Sequence, residues 1–575
     1  MRTLEHHVDV CVIGGGLAGM AAAISAARHG AQVALVQDRP VLGGNASSEI
    51  RMHVCGAHGD YMRETGIVEE IKLANAYRNP TRNYSIWDSV LYEAVRFTPN
   101  LQLFLNCSVN NVTMDGSRIA AVTGWQLTTE TWQTIHADYF ADCSGDSILA
   151  PLSGAEYRLG REAREEFDED IAPIEADKRT MGMSCLIQLR EMDAPQPFIA
   201  PSWAYTYPSD DSLPYRDHKA NGSNFWWLEV GGEHDSIHDT ETLRDELLKI
   251  AYGVVDHIKN QGDHGAENWQ LEWLGFLPGK RESRRYVGDH ILTQNEVRAE
   301  GRFPDLVAYG GWSMDDHHPA GFYYPGYPTI FHPAPSPYGI PYRCLYSRNI
   351  DNLFFAGRNI SATHSAMSST RVMSTCAILG QAVGTAAALA VREQTSPRGV
   401  YERHLDALQQ TLLDDDCYLP WQRRTVSPLA QAATLSASSG DPSPLRNGYD
   451  RPIGEEDNGW TGVCGDWIAY TFATAQPVTG LRIVTDSDLR AVNNMLMPSG
   501  YPLGRAHAAV PATLLKAFRI EAQDAEGAWQ QVYREENNHQ RLVRVPLELH
   551  TTGVRLIPEA TWGAESVHLF SVEVR

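Results

Sequence analysis

The feature that most constrains this chain is Gly14-Gly-Gly16-Leu-Ala-Gly19, set between the apolar run of residues 8–13 and an alanine-rich stretch ending at Arg28. A strand that feeds a glycine turn into a helix opens a βαβ unit. Gly14 permits the tight turn, Gly16 lets the backbone approach a diphosphate, and Gly19 lets the helix pack closely on the strand. The helix N-terminus adds free N–H groups and a favourable dipole for phosphate charge. Gly30 closes the helix, and a second strand is predicted over 32–37. The carboxylate that usually meets the ribose hydroxyls at the end of that strand is replaced by Gln37, with Asp38 directly after it. An amide can make the same contact.

Downstream organisation follows the same logic. Extended segments are predicted over 101–105, 118–127 and 134–141, a small meander and a return strand. From about 160 to 340 the chain turns rich in Pro, Trp, Tyr and His, with one clear helix over 240–260. A strand over 352–356 and a small-residue helix over 370–390 come next, and beyond about 430 short alternating strands take over. The expected fold class is α/β: a Rossmann-like domain formed by 1–160 and 345–400, an inserted α+β substrate domain over 161–344, a linker over 401–430, and an all-β sandwich over 431–575.

Two later turns narrow the cofactor. A strand ends at Ala141-Asp-Cys-Ser144-Gly145-Asp146, and another at Leu353-Phe-Phe-Ala-Gly357-Arg358 ahead of a helix. Together with Gly43-Gly44-Asn45-Ala-Ser-Ser48, this pattern resembles the glutathione-reductase-like flavoprotein superfamily, and within it the FAD-dependent oxidoreductases. The resemblance covers roughly residues 8–395 and includes Leu277 to His290. It implies FAD as cofactor, with the Ser144-Gly145-Asp146 turn over the adenosine end and the Gly357 strand beside the ribityl chain. The helix near Thr370, with Arg371 and Ser374, is implied to face the flavin pyrimidine edge. In the tail, segments such as Asp466-Trp467-Ile-Ala-Tyr470 are similar to the discoidin-like sandwich common in carbohydrate-active proteins, which implies either glycan contact or dimerisation and packing.

Hydride removal from a hydroxyl-bearing carbon needs a base for the hydroxyl proton, and imidazole suits that task near neutral pH. His364 is the first candidate, on the connection between the late strand and its helix, followed by His53 and His58 around Cys55, and then His318 beside His317. Cys55 has an alternative reading as a redox thiol or attachment point. Asp315-Asp316-His317-His318 could bind a metal, but contiguous loop residues seldom converge on one ion, so no metal is expected. Arg281, Arg284 and Arg285 beside Glu282 read equally as substrate anchors or as an internal ion-pair brace.

Aromatics at 203, 205, 207, 215, 225–227, 322–324 and 327 suit the C–H face of a sugar ring, with the alternative that they fill a core. A small-molecule or oligosaccharide substrate is therefore expected. Three functions stay open: oxidation of a sugar or glycoside hydroxyl, redox-neutral glycoside cleavage through transient oxidation, elimination, hydration and re-reduction, and a flavin-holding scaffold or carbohydrate-binding protein. A net charge of −23 over 575 residues argues against a nucleic-acid partner. No run of 18 apolar residues predicts a membrane span, and residues 1–7 show no secretory h-region, so the expectation is cytoplasmic. Nine scattered cysteines suggest no disulfide framework, and a homo-oligomer remains an open expectation.

Overall fold

The computed structural model describes residues 2–220, 224–490 and 497–575. It divides into two compact units. The first takes residues up to 57, 82–408 and the described part of 494–507, and the second takes 58–81, the described part of 409–493, and 508–575.

In the first unit, β1 (Arg2–Ile13) leads into α1 (Leu17–Arg28) and β2 (Val33–Val36), followed by β3 (Leu101–Phe104), β4 (Cys107–Asp115), β5 (Arg118–Gln126) and β6 (Thr131–Asp142). Their order in the sheet is β3-β2-β1-β6-β5-β4. Val10 to Ile13 is a continuous apolar run because that end of β1 is buried on both faces, as parallel central strands must be. β1 runs parallel to β2 and β6, while β4, β5 and β6 form an antiparallel meander; β3, expected to belong to such a meander, instead pairs in parallel with β2. β4 was not foreseen; its sequence Cys-Ser-Val-Asn-Asn-Val-Thr-Met-Asp is too polar to read as a strand outside its meander.

β6 forks. Its first half, Thr131 to His136, pairs with β5, and its last residues, Phe140 to Asp142, pair in parallel with a later strand, Leu353–Phe355. Asn352 closes the fork: its amide donates to the Ile119 and Asp138 carbonyls and its oxygen accepts from Ile119 N–H at 2.9 Å.

The middle region holds α2 (Thr240–Asn260), as expected, among two-stranded sheets, one of them formed by β7 (Met314–His317) and Thr329–His332. Phe225 and Trp227 lie in its core with Leu247, Ile250 and Val254, whereas Trp203, Tyr205, Tyr215, Tyr323 and Tyr327 are exposed. The aromatic run thus splits between both readings. After β8 (Leu353–Phe355) the helix expected over 370–390 is α4 (Met373–Glu393), and an additional helix, α3 (His364–Thr370), occupies the connection ahead of it, the two separated at Arg371–Val372. α4 is long and apolar enough to span a membrane, yet 94% of its most apolar window is buried inside the protein. It packs on α1 at backbone distance: a Cβ at Gly380 would lie 1.9 Å from the Ala18 carbonyl, and one at Gly384 2.1 Å from that of Ala22.

The second unit contains an antiparallel β-sandwich: β9 (Thr434–Ala437), β10 (Trp460–Val463), β11 (Ile468–Thr485), β12 (Leu515–Gln523), β13 (Trp529–Glu535), β14 (Leu542–Thr561) and β15 (Ser566–Val574). β11 and β14 are continuous where the sequence suggests separate short strands. The register of their pairing shifts between Thr471 and Gln476 and between Val478 and Gly480, as β-bulges do. The layers enclose Trp460, Tyr470, Leu481, Phe518, Leu556 and Phe-flanking Leu569. Eight of the nine cysteines are buried, and Cys464 is exposed.

Candidate functional site

The glycine turn is built as the fingerprint requires. Gly14 has φ +100°, its N–H donates to the Val36 carbonyl, and an added Cβ would meet the Cys143 carbonyl oxygen at 2.5 Å. At Gly19 a Cβ would come within 1.8 Å of the Gly14 carbonyl. Gly16 differs: the nearest atom to an added Cβ is Gly44 Cα at 3.9 Å, so its face is open to a ligand. Gly43 and Gly44 both take positive φ, and Gly43 N–H donates to the Gly15 carbonyl, which sets the 43–48 loop across the turn.

The flanking polar residues have mixed assignments. Gln37 is buried, accepting from Gly15 N–H at 2.7 Å and donating to the Val41 carbonyl, so it fastens the turn to the following loop. Asp38 is exposed. Asn45 donates to the Lys280 carbonyl, and Ser48 N–H donates to Asp88. Ser144 caps Asp142, and Gly145 has φ +78° beneath the Arg358 guanidinium. Asp146 is held by Arg358 at 2.6 Å and Lys280 at 2.8 Å; burial alone would raise its pKa, but these cations bring it below the ordinary value. Gly357 has φ +116°, and an added Cβ would lie 3.4 Å from Asn359 Oδ1 and 3.7 Å from Ala18 Cβ. Ser47 Oγ, Arg358 Nε, Asn359 Oδ1, Arg371 Nε and Ser374 Oγ are buried without a hydrogen-bond partner among the described residues. Unsatisfied buried polar atoms of this kind call for a ligand.

Beside this cradle lie two carboxylate–imidazole–carboxylate relays. In one, His364 Nδ1 is 2.9 Å from Glu282 and Nε2 is 3.1 Å from Asp316. Burial would lower the His364 pKa, but Glu282 and Asp316 outweigh it and push it up to about 10. The ring therefore holds both protons at neutral pH, and as placed it is a donor, which departs from the expected base role. In the other, His317 Nδ1 is 2.5 Å from Glu229 and Nε2 is 3.3 Å from Asp315. Its pKa is raised too, the carboxylates overcoming burial. Arg371 binds Asp315 at 3.1 Å. Arg285 pairs with Glu162 and Glu282, and Arg281 lies 3.5 Å from Glu229, so these two arginines form an internal brace. Arg284 lies over the Tyr157 ring.

The remaining histidine candidates belong to neither relay. His53 is buried beside Asn224, and burial pushes its pKa down to about 4. His318 stacks on Tyr324 with centroids 3.7 Å apart and accepts from Ala320 N–H. His58 is exposed and belongs to the second unit. Glu229 was missed, although one carboxylate inside the apolar run Phe225-Trp-Trp-Leu-Glu-Val is itself a signal of a buried, paired charge.

A glycine-lined βαβ turn answered by the Gly145 and Gly357 turns defines a dinucleotide-binding α/β protein. Residues 9–412 match the family described as FAD dependent oxidoreductase, and the chain belongs to that family. FAD is accordingly its cofactor, and the open face of Gly16, the positive-φ glycines and the unpartnered polar atoms fit that group. Among curated proteins, the chain is similar to the soluble pyridine nucleotide transhydrogenase of Marinobacter nauticus, 51% identical over 43 residues, which is 8% of this chain and 9% of that protein. Among solved structures it is similar to a geranylgeranyl bacteriochlorophyll reductase-like protein from Thermoplasma acidophilum (13% identity, 72% of this chain and 86% of that one, TM-score 0.32). It is also similar to the family 32 carbohydrate-binding module of Streptococcus pneumoniae EndoD (12% identity, 26% of this chain and 99% of that one, TM-score 0.21).

Proposed function

We propose that the chain oxidises a hydroxyl-bearing carbon of a sugar or glycoside, and that the Asp316–His364–Glu282 relay receives the hydroxyl proton. The observation that carries this reading is the relay itself: three ionisable groups in line, of which Asp316 is the most open, its side chain 20% exposed. FAD, when bound, supplies the hydride acceptor. Asp316 takes the proton at its free oxygen, and the imidazolium can pass its Nδ1 proton to Glu282, so positive charge on the ring disperses as Asp316 becomes neutral. Trp226, edge-on to His317 at 5.3 Å, offers an aromatic face for the C–H side of a sugar ring. Arg358, Lys280 and Asp146 would anchor the cofactor's polar parts beside the glycine turns.

The second relay favours an alternative. Transient oxidation followed by elimination, hydration and re-reduction needs one group for the hydroxyl proton and another for the leaving group, and Glu229–His317–Asp315 supplies the second. The test is anaerobic titration of the purified flavoprotein with sugars and chromogenic glycosides. Bleaching of the flavin band by a sugar supports net oxidation, chromophore release at steady flavin colour supports redox-neutral cleavage, and neither response across the panel overturns both in favour of a scaffold. Asp316→Asn should keep its flavin and slow the reaction by about 10²–10⁴-fold.

A further inference from the structure

In the first unit, four side chains that belong to neither relay nor to the glycine turns converge. We propose that Asp210, His218, His257 and His264 form a site for one divalent transition-metal ion, zinc being the best match, which fastens the 210–218 loop to the C-terminal end of α2. One ligand atom from each lies within 4.8 Å of all the others. Asp210 Oδ1 is 3.6 Å from His218 Nδ1, 3.3 Å from His257 Nε2 and 3.4 Å from His264 Nε2. Four ligands at 2.0–2.1 Å around a tetrahedral ion stand about 3.3 Å from one another. The carboxylate-to-imidazole edges are thus already near their liganded length.

The outer hydrogen bonds select the tautomers a metal needs. His257 Nδ1 donates to the Tyr207 carbonyl at 2.7 Å, and His218 Nε2 lies 3.2 Å from the Leu213 carbonyl. Each bond fixes the proton on the far nitrogen and leaves a lone pair on the nitrogen that faces the cluster, as in metal-bound histidines generally. His257 is fully buried, and among the described residues neither its Nε2 nor that of His264 has a hydrogen-bond partner. Leaving such a nitrogen unmatched costs about 1–3 kcal/mol. The backbone makes room for the arrangement at Gly262, where a Cβ would lie 2.6 Å from His264 Nε2.

Three imidazoles and a carboxylate suit zinc and its neighbours in the first transition row rather than magnesium or calcium, which prefer oxygen ligands throughout. Four protein ligands close a tetrahedral shell, so the site braces structure and leaves no position for substrate. The 55-residue spread of the ligands explains why no spacing motif announces it.

The test uses the full chain, purified with its flavin and without a histidine tag. Mass-spectrometric metal analysis should find about one equivalent of zinc or a neighbouring transition metal, and X-ray absorption should show only nitrogen and oxygen scatterers at about 2.0–2.1 Å. After chelation, added Zn²⁺ should rebind with unit stoichiometry. His264→Ala and Asp210→Ala should each lower metal content at least tenfold while flavin per chain stays constant. Asp210 is exposed, so its variant separates loss of the site from loss of the fold. A stripped chain that binds neither Zn²⁺, Co²⁺ nor Ni²⁺, or metal content unmoved by both substitutions, overturns the proposal.

Discussion

The two units bury charge with different cations. The first places imidazoles between carboxylates, at His364 and His317, and braces them with Arg281 and Arg285. The second relies in its interior on guanidinium: Arg482 on Asp450 at 2.7 Å, Arg541 on Asp416 at 2.8 Å, and Arg424 on Glu573 at 2.5 Å. Arginine keeps its proton at any physiological pH, whereas histidine is poised to exchange one. The same physical problem of a carboxylate out of water is thus solved once by a fixed charge and once by a group able to move a proton. The guanidinium arrangement stabilises, and the imidazole arrangement can also react.

The comparison breaks most readily at Arg482. Replacing it with leucine leaves Asp450 buried with a weakened partner set, and chemical denaturation should show a loss of about 3–5 kcal/mol that varies little between pH 6 and 9. His364→Gln should behave differently. The folded His364 pKa, about 10, lies above the unfolded value, so its contribution is fully present below about pH 6.5 and disappears as pH rises through 10. Denaturation of both chains across that range should show the variant at its largest deficit near pH 6, with the two curves converging at about pH 10. The deficit should be smaller than that of Arg482→Leu because Arg285 still partners Glu282.

The smallest effect sharpens the contrast inside the second unit. His568 also sits between two carboxylates, Asp486 at 3.0 Å and Asp457 at 3.1 Å, and its pKa is raised, their attraction exceeding the effect of burial. Asp457 is 60% exposed, so water screens this pair. His568→Gln should lose stability with the same sign of pH dependence, by under about 1 kcal/mol, as read from the melting temperature at pH 6 and pH 9. A His568 effect as large as that of His364 would mean that the surrounding medium, and not burial, sets the difference between the units.

The parts legible in the sequence were those with local grammar. Gly14, Gly16 and Gly19 announce their turn because each carries a separate steric demand within six residues, and α2 announces itself through its apolar period. The fold of the first sheet followed from these, including the return of β8. What stayed hidden depends on pairing across the chain. His364 could be picked from its place after β8, but its protonation state depends on Glu282 and Asp316, which no local pattern connects to it. The break between α3 and α4 falls at Arg371, where the guanidinium turns to Asp315. The helices Ile67–Arg78 and Tyr84–Arg96 were not read from sequence, the first because its apolar residues form only a weak stripe and its carboxylate Glu69 is buried against Arg63.

The fork in β6 has a consequence for how the chain is made. The ribosome delivers β6 well before β8, with roughly 210 residues between their paired ends, which takes about 10–40 s at ordinary elongation rates. Throughout that interval Phe140 to Asp142 present an unpaired parallel edge, the kind of template on which another nascent chain can add a strand. Asn352 arrives immediately ahead of β8 with three hydrogen bonds ready for β5 and β6, so the edge is sealed and the register fixed in a single docking event.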